Sequence, residues 1–457
     1  MRRPEAVRTR SLLLLPLLLQ LMMMMSRVGG LRRSRRALGS VIVQRARLFS
    51  TAPKINFYTT SEEEFQVLMK EWSQPSFRVK QVRQWVYDKG VVDFGAMQDL
   101  PIALRDKLSS FFSIGSLRLA SEQVSKDGTL KRAYELHDGQ LIEAVLMPYD
   151  DGRNTACISS QAGCAMGCVF CATGQMGFFR QLTSTEIFEQ AQRYSAELRA
   201  RGQRLSNVVM MGMGEPLANY DNVLEAVRRI NDELGIGARH ITISTVGLTP
   251  RIRKLADEAL QVGLAVSLHQ TDDASRSALM PVNERYPIAE LLDACRYYVD
   301  RTNRRITFEW ALIRGQTDSP ATAAALGKLL QGLMCHVNVI PLNPTSGFGG
   351  KPTSKAGVDE FCRVLGGFGV PATPRIRRGI DIDAGCGQLK QELLRRKRSS
   401  GGEASTENAP ADEAANADEN ADADADAVCA TITAGALPGP REVSLAERLE
   451  VFDSIER

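Results

Sequence analysis

Cys164, Cys168 and Cys171 stand in the run Gly163-Cys164-Ala165-Met166-Gly167-Cys168-Val169-Phe170-Cys171. The gaps between the cysteines are three residues and then two. Three thiolates on one tight loop hold three corners of a four-iron cluster, and cysteine thiolate is the usual ligand of such clusters. The fourth iron is then open to a small ligand. S-adenosylmethionine can bind there through its amino and carboxylate groups and receive one electron, which generates a carbon radical. Phe170, just before the last cysteine, can wall the cluster from water. A structural zinc site is the competing reading. Zinc wants four ligands, usually on paired Cys-x2-Cys knuckles. No second knuckle lies close by, and the chain has four histidines, His137, His240, His269 and His336.

Two more cysteines lie outside that loop in informative places. Cys157 precedes the cluster by seven residues, and Cys386 sits between Gly385 and Gly387. Glycine on both sides exposes a sulfur. Such a pair can act as nucleophile and resolving thiol. Either one alone reads as a buried apolar cysteine, and that reading is applied to Cys295, Cys335 and Cys362. Gly212-Met213-Gly214-Glu215-Pro216 leaves room for a ligand against the backbone. Glu215 could then accept hydrogen bonds from an ammonium group, although a tight turn also explains the run. Ser244, Ser267, His269 and Asn343 are polar residues that could hold a ribose, a sulfonium side or an adenine; singly, each is as well read as a strand-end cap.

These residues need a scaffold. From about residue 155, apolar runs of strand length alternate with helical ones. The strands fall near 155–160, 206–212, 240–245, 263–268, 306–313 and 336–342. Helical stretches fall near 184–201, 219–234, 250–261, 287–301, 320–333 and 357–366. Six strand–helix repeats predict an α/β fold, a partial (β/α)6 barrel with helices outside a parallel sheet. Chemistry in such barrels gathers at the C-terminal ends of the strands. The cysteine loop, Glu215, Ser244, Ser267, His269 and Asn343 all fall there. Ahead of the barrel, runs near 117–125, 129–136 and 140–147 are joined by Asp127-Gly128 and Asp138-Gly139, which predict a small antiparallel unit over 115–150. Residues 62–113 read as helices, with Val79, Val82, Val86 and Trp85 on one apolar stripe. Lys80, Arg83 and Lys89 lie close in sequence to Phe77, Trp85 and Tyr87, a mixture that grips RNA or simply marks a solvated face.

Charge separates the ends from the middle. Residues 1–53 hold eleven arginines and one acid, Glu5, which is transit-peptide composition and predicts a mitochondrial address, with a plastid as the alternative. The apolar run Leu12–Met25 has 14 residues, too short for a comfortable membrane span, and no stable membrane association is expected. It can serve instead as a signal core, or translation can start within Met22–Met25. Residues 399–457 carry 14 acids and 3 arginines, and Ala, Asp, Glu, Asn and Gly dominate 399–428. Such a stretch buries too little apolar surface to fold and predicts a solvated tail around Cys429, with a short helix over 443–456. The domains expected are therefore a targeting segment 1–53, helical 54–114, antiparallel 115–150, barrel 151–398 and tail 399–457.

Several runs together resemble the RlmN family of radical S-adenosylmethionine RNA methyltransferases. They are Cys157-Ile-Ser-Ser-Gln-Ala-Gly-Cys164 and its continuation to Phe178, Val208-Val-Met-Met-Gly-Met-Gly-Glu-Pro-Leu217, Ser267-Leu-His269, Ile340-Pro-Leu-Asn-Pro344 and the Cys386 loop. The resemblance spans roughly 60–395. It implies the radical S-adenosylmethionine barrel, a [4Fe-4S] cluster on Cys164, Cys168 and Cys171, and S-adenosylmethionine bound by Gly214, Glu215, Ser244, Ser267, Leu268, His269 and Asn343. It implies an N-terminal RNA-binding domain and methylation of adenine carbon 2 in large-subunit ribosomal RNA, and in bacteria certain transfer RNAs. In that scheme Cys386 takes a methyl group from one S-adenosylmethionine. A 5′-deoxyadenosyl radical from a second strips a hydrogen from it, and the methylene carbon adds to the adenine. Cys157 then forms a disulfide with Cys386 and frees the product. Glu143 matches the family's base across a one-residue gap. An electron donor such as a flavodoxin or ferredoxin system is implied, and the chain is expected to act as a monomer. Methylation of adenine carbon 8 by the same cysteines is the sister activity, and a noncatalytic RNA-binding relative is the reading from another class. The long leader and the acidic tail depart from the family pattern.

Overall fold

The computed structural model describes residues 54–389. The leader 1–53, residues 390–398 of the expected barrel and the tail with its expected helix lie outside the described residues. The described chain divides into two compact units, 54–82 with 93–113, and 83–92 with 114–389.

In the first unit, helix α1 (Glu62–Glu71) starts at a capping box: Ser61 Oγ accepts from Glu64 N at 3.1 Å, and Glu64 Oε2 accepts from Ser61 N at 2.9 Å. Helices α2 (Phe77–Arg83) and α3 (Ile102–Phe111) follow. The sequence pattern predicts helices alone, whereas strands β1 (Ile55–Asn56) and β2 (Phe112–Ser113) pair in parallel and tie the ends of the unit together. Edge-to-face contacts of Phe57 with Phe65 (4.9 Å) and Phe112 (5.5 Å) fill its core. A π-helical turn, Gln84–Asp88, extends α2. This turn belongs to the second unit, where Gln192 Nε2 donates to the carbonyls of Val86 (2.8 Å) and Tyr87 (3.1 Å). Val79, Val82 and Val86 are buried as the stripe predicts. Tyr87 is buried too, so its ring is not offered to a nucleic acid.

The second unit is built on one sheet of ten strands. Its antiparallel edge is β3 (Arg118–Val124), β4 (Leu130–Glu135) and β5 (Leu141–Pro148), with the two Asp-Gly turns between them as predicted. β5 then pairs antiparallel with β6 (Asn154–Cys157), with Val145 opposite Cys157. The antiparallel strands are therefore continuous with the barrel sheet and form no separate layer. The reason is the short turn Tyr149–Arg153, which folds β6 straight back onto β5. From β6 the sheet runs in parallel through β9 (Asn207–Met210), β10 (Ile241–Thr245), β11 (Gly263–Ser267), β12 (Ile306–Leu312), β13 (Cys335–Pro341) and β14 (Ala372–Pro374). β7 (Gln161–Gly163) and β8 (Phe178–Gln181) form a separate hairpin that brackets the cysteine loop. The six predicted parallel strands are present. They are β6 and β9 to β13; β14 is a seventh parallel strand that the sequence pattern does not predict, because its three residues are too few to carry a periodicity.

The connecting helices lie between successive strands. They are α4 (Ala172–Met176), α5 (Ser184–Ala200), α6 (Tyr220–Leu234), α7 (Thr249–Asp257), α8 (Asp273–Leu279), α9 (Ile288–Thr302), α10 (Pro320–Leu330) and α11 (Lys355–Gly367). Burial is near-continuous along β11 and β12, whereas it alternates along β9, β10 and β13, so those three strands are fully covered on one face only. No helix among the described residues is long and apolar enough to cross a membrane.

Candidate active site

The β7–β8 hairpin sets the cysteine loop. Cys164 N donates to Gly177 O at 2.8 Å across its neck. Gly163 has φ +75°, and a Cβ there would lie 2.1 Å from that same carbonyl, so the closure needs glycine. Val169 N is held by Leu279 O at 3.1 Å, and Cys171 N returns to Cys168 O at 3.2 Å. Burial pushes the thiol of Cys168 up to about 12, and the neighbouring Cys171 adds to this. Burial, then Cys168, raises Cys164 well above an ordinary thiol. Burial likewise raises Cys171. Protonated thiols this close are costly to ionise one by one, and a bound iron cation reverses that preference. Among the described residues no three His, Cys, Asp or Glu side chains converge to hold a single metal ion. A four-iron cluster takes its thiolates at separate corners, so it does not need them to converge on one ion. The donor set fits the cluster.

A cavity of about 920 Å³, counting its open mouth, lies over the C-terminal ends of the parallel strands. Cys168, Cys171 and Phe170 form one wall. Gly214, Glu215, Ser244, Ser267, His269 and Asn343 line it from β9, β10, β11 and the segment after β13. Gly214 has φ +101°, and a Cβ would lie 2.5 Å from Gln161 Cβ. Glu215 Oε1 accepts from Leu217 N (3.0 Å) and Oε2 from Val246 N (2.8 Å). Burial nevertheless pushes its carboxyl up to about 7, and these backbone donors only moderate the rise. His269 holds φ +59°, an uncommon conformation for a residue with a Cβ. Its Nδ1 accepts from Ala311 N at 3.0 Å, and its ring meets Phe170 edge-on at 5.0 Å. Burial, with Arg276 second, lowers the imidazole to about 3, so it is neutral at any ordinary pH. Leu268 is fully buried and does not line the cavity; its carbonyl accepts from Arg276 Nε at 3.1 Å.

The Cys386 loop closes the remaining side. Asn343 Nδ2 donates to Cys386 O at 3.1 Å, Ala172 N to Gly387 O at 2.8 Å, and Thr173 Oγ1 to Leu389 O at 2.8 Å. The β3–β4 turn clasps the loop from the other side: Gly379 N donates to Asp127 Oδ2 at 3.0 Å and Lys126 N to Asp381 Oδ2 at 3.2 Å. Cys386 is exposed and lines the large cavity. It also lines a second, smaller cavity, of about 550 Å³ counting its open mouth, together with Cys157. Cys157 is buried, and burial followed by the charge of Cys386 pushes its thiol up to about 12. Glu143 lines neither cavity. It pairs with Lys131 Nζ at 3.4 Å, both nearly buried, and Lys131 Nζ also donates to Asp383 O at 3.3 Å.

Sequence reasoning missed three residues that the fold brings here. Arg375 lines both cavities and reaches Glu309 Oε2 at 3.5 Å. Its guanidinium is held charged by the Cys386 sulfur first. Glu309 is buried in β12 and takes Asn338 Nδ2 at 2.9 Å. Arg276, fully buried, donates to the carbonyls of Leu268 (3.1 Å), Ser267 (3.0 Å) and Val246 (2.7 Å), which ties the ends of β10 and β11 together. The signal for Arg375 was the basic run Arg375-Ile376-Arg377-Arg378 just before the Cys386 loop. Nothing local marked Glu309 or Arg276, because their partners come from other strands.

Comparison with known proteins agrees with this geometry. The profile described as the Radical SAM superfamily matches residues 158–326, and that of the ribosomal RNA large subunit methyltransferase N-terminal domain matches 55–114. The dual-specificity RNA methyltransferase RlmN 1 of Myxococcus xanthus is 49% identical over 348 residues, covering 76% of this chain and 97% of that protein. A probable dual-specificity RNA methyltransferase RlmN of Chloroflexus aurantiacus is 46% identical, covering 73% and 92%. The crystal structure of a radical SAM methyltransferase from Sphaerobacter thermophilus superposes with a TM-score of 0.69 at 46% identity, over 74% of this chain and 99% of that one. With the three-cysteine loop, the parallel sheet and the N-terminal unit all in place, the chain belongs to the RlmN family of radical SAM RNA methyltransferases, which work with a [4Fe-4S] cluster and S-adenosylmethionine.

Proposed function

We propose that this protein methylates carbon 2 of an adenine in large-subunit ribosomal RNA, and transfer RNA as a second substrate, with the methyl group carried on Cys386. The observation that carries the reading is that Cys386 lines both cavities while Cys157 lines only the second. A sulfur so placed can be loaded from one side and discharged on the other. Carbon 2 of adenine is electron-poor, so direct displacement on S-adenosylmethionine fails and a carbon radical is needed. Cys164, Cys168 and Cys171 would hold the cluster, which when bound would supply one electron to S-adenosylmethionine for that purpose.

The remaining steps belong to the chain. Glu215, Ser244, Ser267, His269 and Asn343 orient S-adenosylmethionine, with Asn343 Oδ1 buried and without a donor among the described residues. Neutral His269 adds no positive charge against the sulfonium. The Sγ of Cys386 displaces the methyl group, forming an S–C bond and releasing S-adenosylhomocysteine. That methyl would give a hydrogen atom to the 5′-deoxyadenosyl radical, and its carbon would bond to carbon 2; the adduct radical would then give up one electron, returned to the cluster, and one proton, for which Glu143 is the group we assign. Cys157 Sγ, as the thiolate, then attacks Cys386 Sγ; the S–S bond forms as the carbon–sulfur bond breaks, and the released carbon takes up a proton to become the methyl group. An external donor such as a flavodoxin or ferredoxin system reduces the disulfide and the cluster, and the chain works as a monomer.

The test is anaerobic reconstitution of the full chain with methyl-labelled S-adenosylmethionine, followed by mass spectrometry of the Cys386 peptide. One added methyl at Cys386 supports the carrier mechanism; an unmodified Cys386 with the cluster present overturns it. Chromatography of nucleosides from treated RNA then distinguishes 2-methyladenosine from the carbon-8 isomer. For the leader we propose a mitochondrial address. A fluorescent fusion of the first 55 residues should mark mitochondria; plastid fluorescence would move the address, and an even cytosolic signal would remove it.

A further inference from the structure

The second cavity has a composition that neither the cluster nor S-adenosylmethionine accounts for. It is lined by Tyr149, Arg375, Arg377 and Arg378 beside the two thiols, Cys157 and Cys386, and no Asp or Glu lines it. Arg375 is matched by Glu309. Arg377 and Arg378 have no carboxylate partner among the described residues, and Arg378 Nε is buried without any acceptor there. Elsewhere on this chain exposed arginines are commonly paired, as with Arg228 and Glu258 or Arg301 and Asp257. Two unmatched guanidinium groups at the rim of a cavity are held there at an electrostatic cost that a polyanion removes.

Tyr149 completes the arrangement. Its ring has the Arg378 guanidinium at 4.4 Å and that of Arg153 at 4.8 Å from its centroid. Tyr149 and Arg153 belong to the tight turn between β5 and β6, where Tyr149 N donates to Arg153 O at 2.8 Å; Arg378 comes from the segment after β14. The Tyr149 ring holds the Arg378 guanidinium against it, and a guanidinium plane fixed in this way is a surface on which an unpaired base stacks, with Arg377 beside it for the phosphates.

We infer that this second cavity is the RNA strand's seat: Tyr149 and Arg378 stack a nucleotide next to the target adenine, and Arg377 and Arg378 hold its flanking phosphates. The inference rests on the function proposed above and adds the residues that hold the substrate. The target base must leave its stack to reach Cys386. A neighbouring base stacked on Arg378 would compensate for part of the contact it gives up. The competing occupant is an acidic electron-transfer protein. Such a donor needs a path to the cluster, and none of Cys164, Cys168 and Cys171 lines this cavity, so the geometry favours RNA.

The experiment uses the full chain and a fluorescent hairpin RNA with an adenine in its loop. R377Q/R378Q should bind it at least tenfold more weakly, with a salt slope smaller by about 2. Y149A should lose about tenfold, and Y149F should bind as the parent does. R239Q/R305Q is the control, since Arg239 and Arg305 precede β10 and β12 at the opposite end of the sheet. Methyl gain at Cys386 in the absence of RNA should be unchanged in every variant. Parent-like RNA affinity in both R377Q/R378Q and Y149A overturns the inference. So does slowed reduction of the cluster by a flavodoxin with RNA binding intact. Tight RNA binding that these variants abolish, on a parent chain whose Cys386 never gains a methyl, would sustain this seat while defeating the proposed mechanism.

Discussion

The side-chain amide of Asn343 holds the backbone of Cys386: Nδ2 donates to the cysteine carbonyl at 3.1 Å, while Oδ1 stays buried without a donor among the described residues. One amide thus fixes the sulfur-bearing loop, and the residue that carries it also lines the large cavity. Replacing it with alanine removes about 1 kcal/mol of tethering. N343A should gain its methyl at Cys386 about fivefold more slowly, and amides of 379–389 should exchange faster. Unchanged exchange would show that the other ties of this loop suffice.

Glu215 predicts a pH dependence of stability in the ligand-free chain. Its carboxyl rises from 4.5 unfolded to about 7 folded, because burial disfavours the charge. The folded state therefore binds the proton more tightly. The stabilisation is full below pH 4.5 and disappears as pH rises through 7. The span corresponds to at most about 3 kcal/mol. His269 works in the opposite direction, losing stability as pH falls from 6.5 towards 3. Urea unfolding of E215Q and parent at pH 5 and pH 7.5 isolates the Glu215 contribution: the gap between the two chains should shift in favour of E215Q at the higher pH.

Cys157 and Cys386 should differ sharply as free thiols. Burial raises Cys157 from 9.0 to about 12, which cuts its thiolate fraction about a thousandfold. Cys386 is exposed. In the reduced native protein, iodoacetamide should label Cys386 long before Cys157, and urea should abolish the difference. Equal native rates would mean that Cys157 is not shielded as the sheet places it.

The Lys131–Glu143 pair is nearly buried on both sides. Removing one partner from such a pair costs about 3–5 kcal/mol, whereas replacing both with apolar residues is close to neutral. K131M should unfold at clearly lower urea concentration than K131M/E143L. The conservative E143Q separates structure from chemistry: if Glu143 receives the proton from carbon 2, E143Q still methylates Cys386 but accumulates RNA crosslinked to it. A chain that turns over normally with E143Q would take that role from Glu143.

The parallel sheet and the cluster loop were legible because both are local patterns. Strand–helix alternation is written in runs of consecutive residues, and a three-cysteine loop is a spacing. The β1–β2 pairing of Ile55 with Phe112 was not legible, since it joins positions far apart in the chain. The placement of Gln84–Asp88 with the second unit depends on Gln192, which is equally remote. The antiparallel strands were correctly found, yet their continuity with the barrel rests on the register of Val145 against Cys157.

The sequence by itself determined the kind of chemistry. Cys164, Cys168 and Cys171 had to lie together because two and three residues cannot separate them far, and three thiolates on one such loop fit three corners of a four-iron cluster. Only the tertiary structure decided where Cys386 stands. It is 215 residues beyond Cys171, and its loop is positioned by Asn343, Thr173 and the β3–β4 turn. Those hydrogen bonds join segments from three distant parts of the chain, and no local propensity encodes their meeting. The same holds for Arg375 between the two cavities, whose partner Glu309 is fixed by strand register. Local spacing can specify a ligand set; the relative placement of two thiols, a guanidinium and a substrate seat is a property of packing.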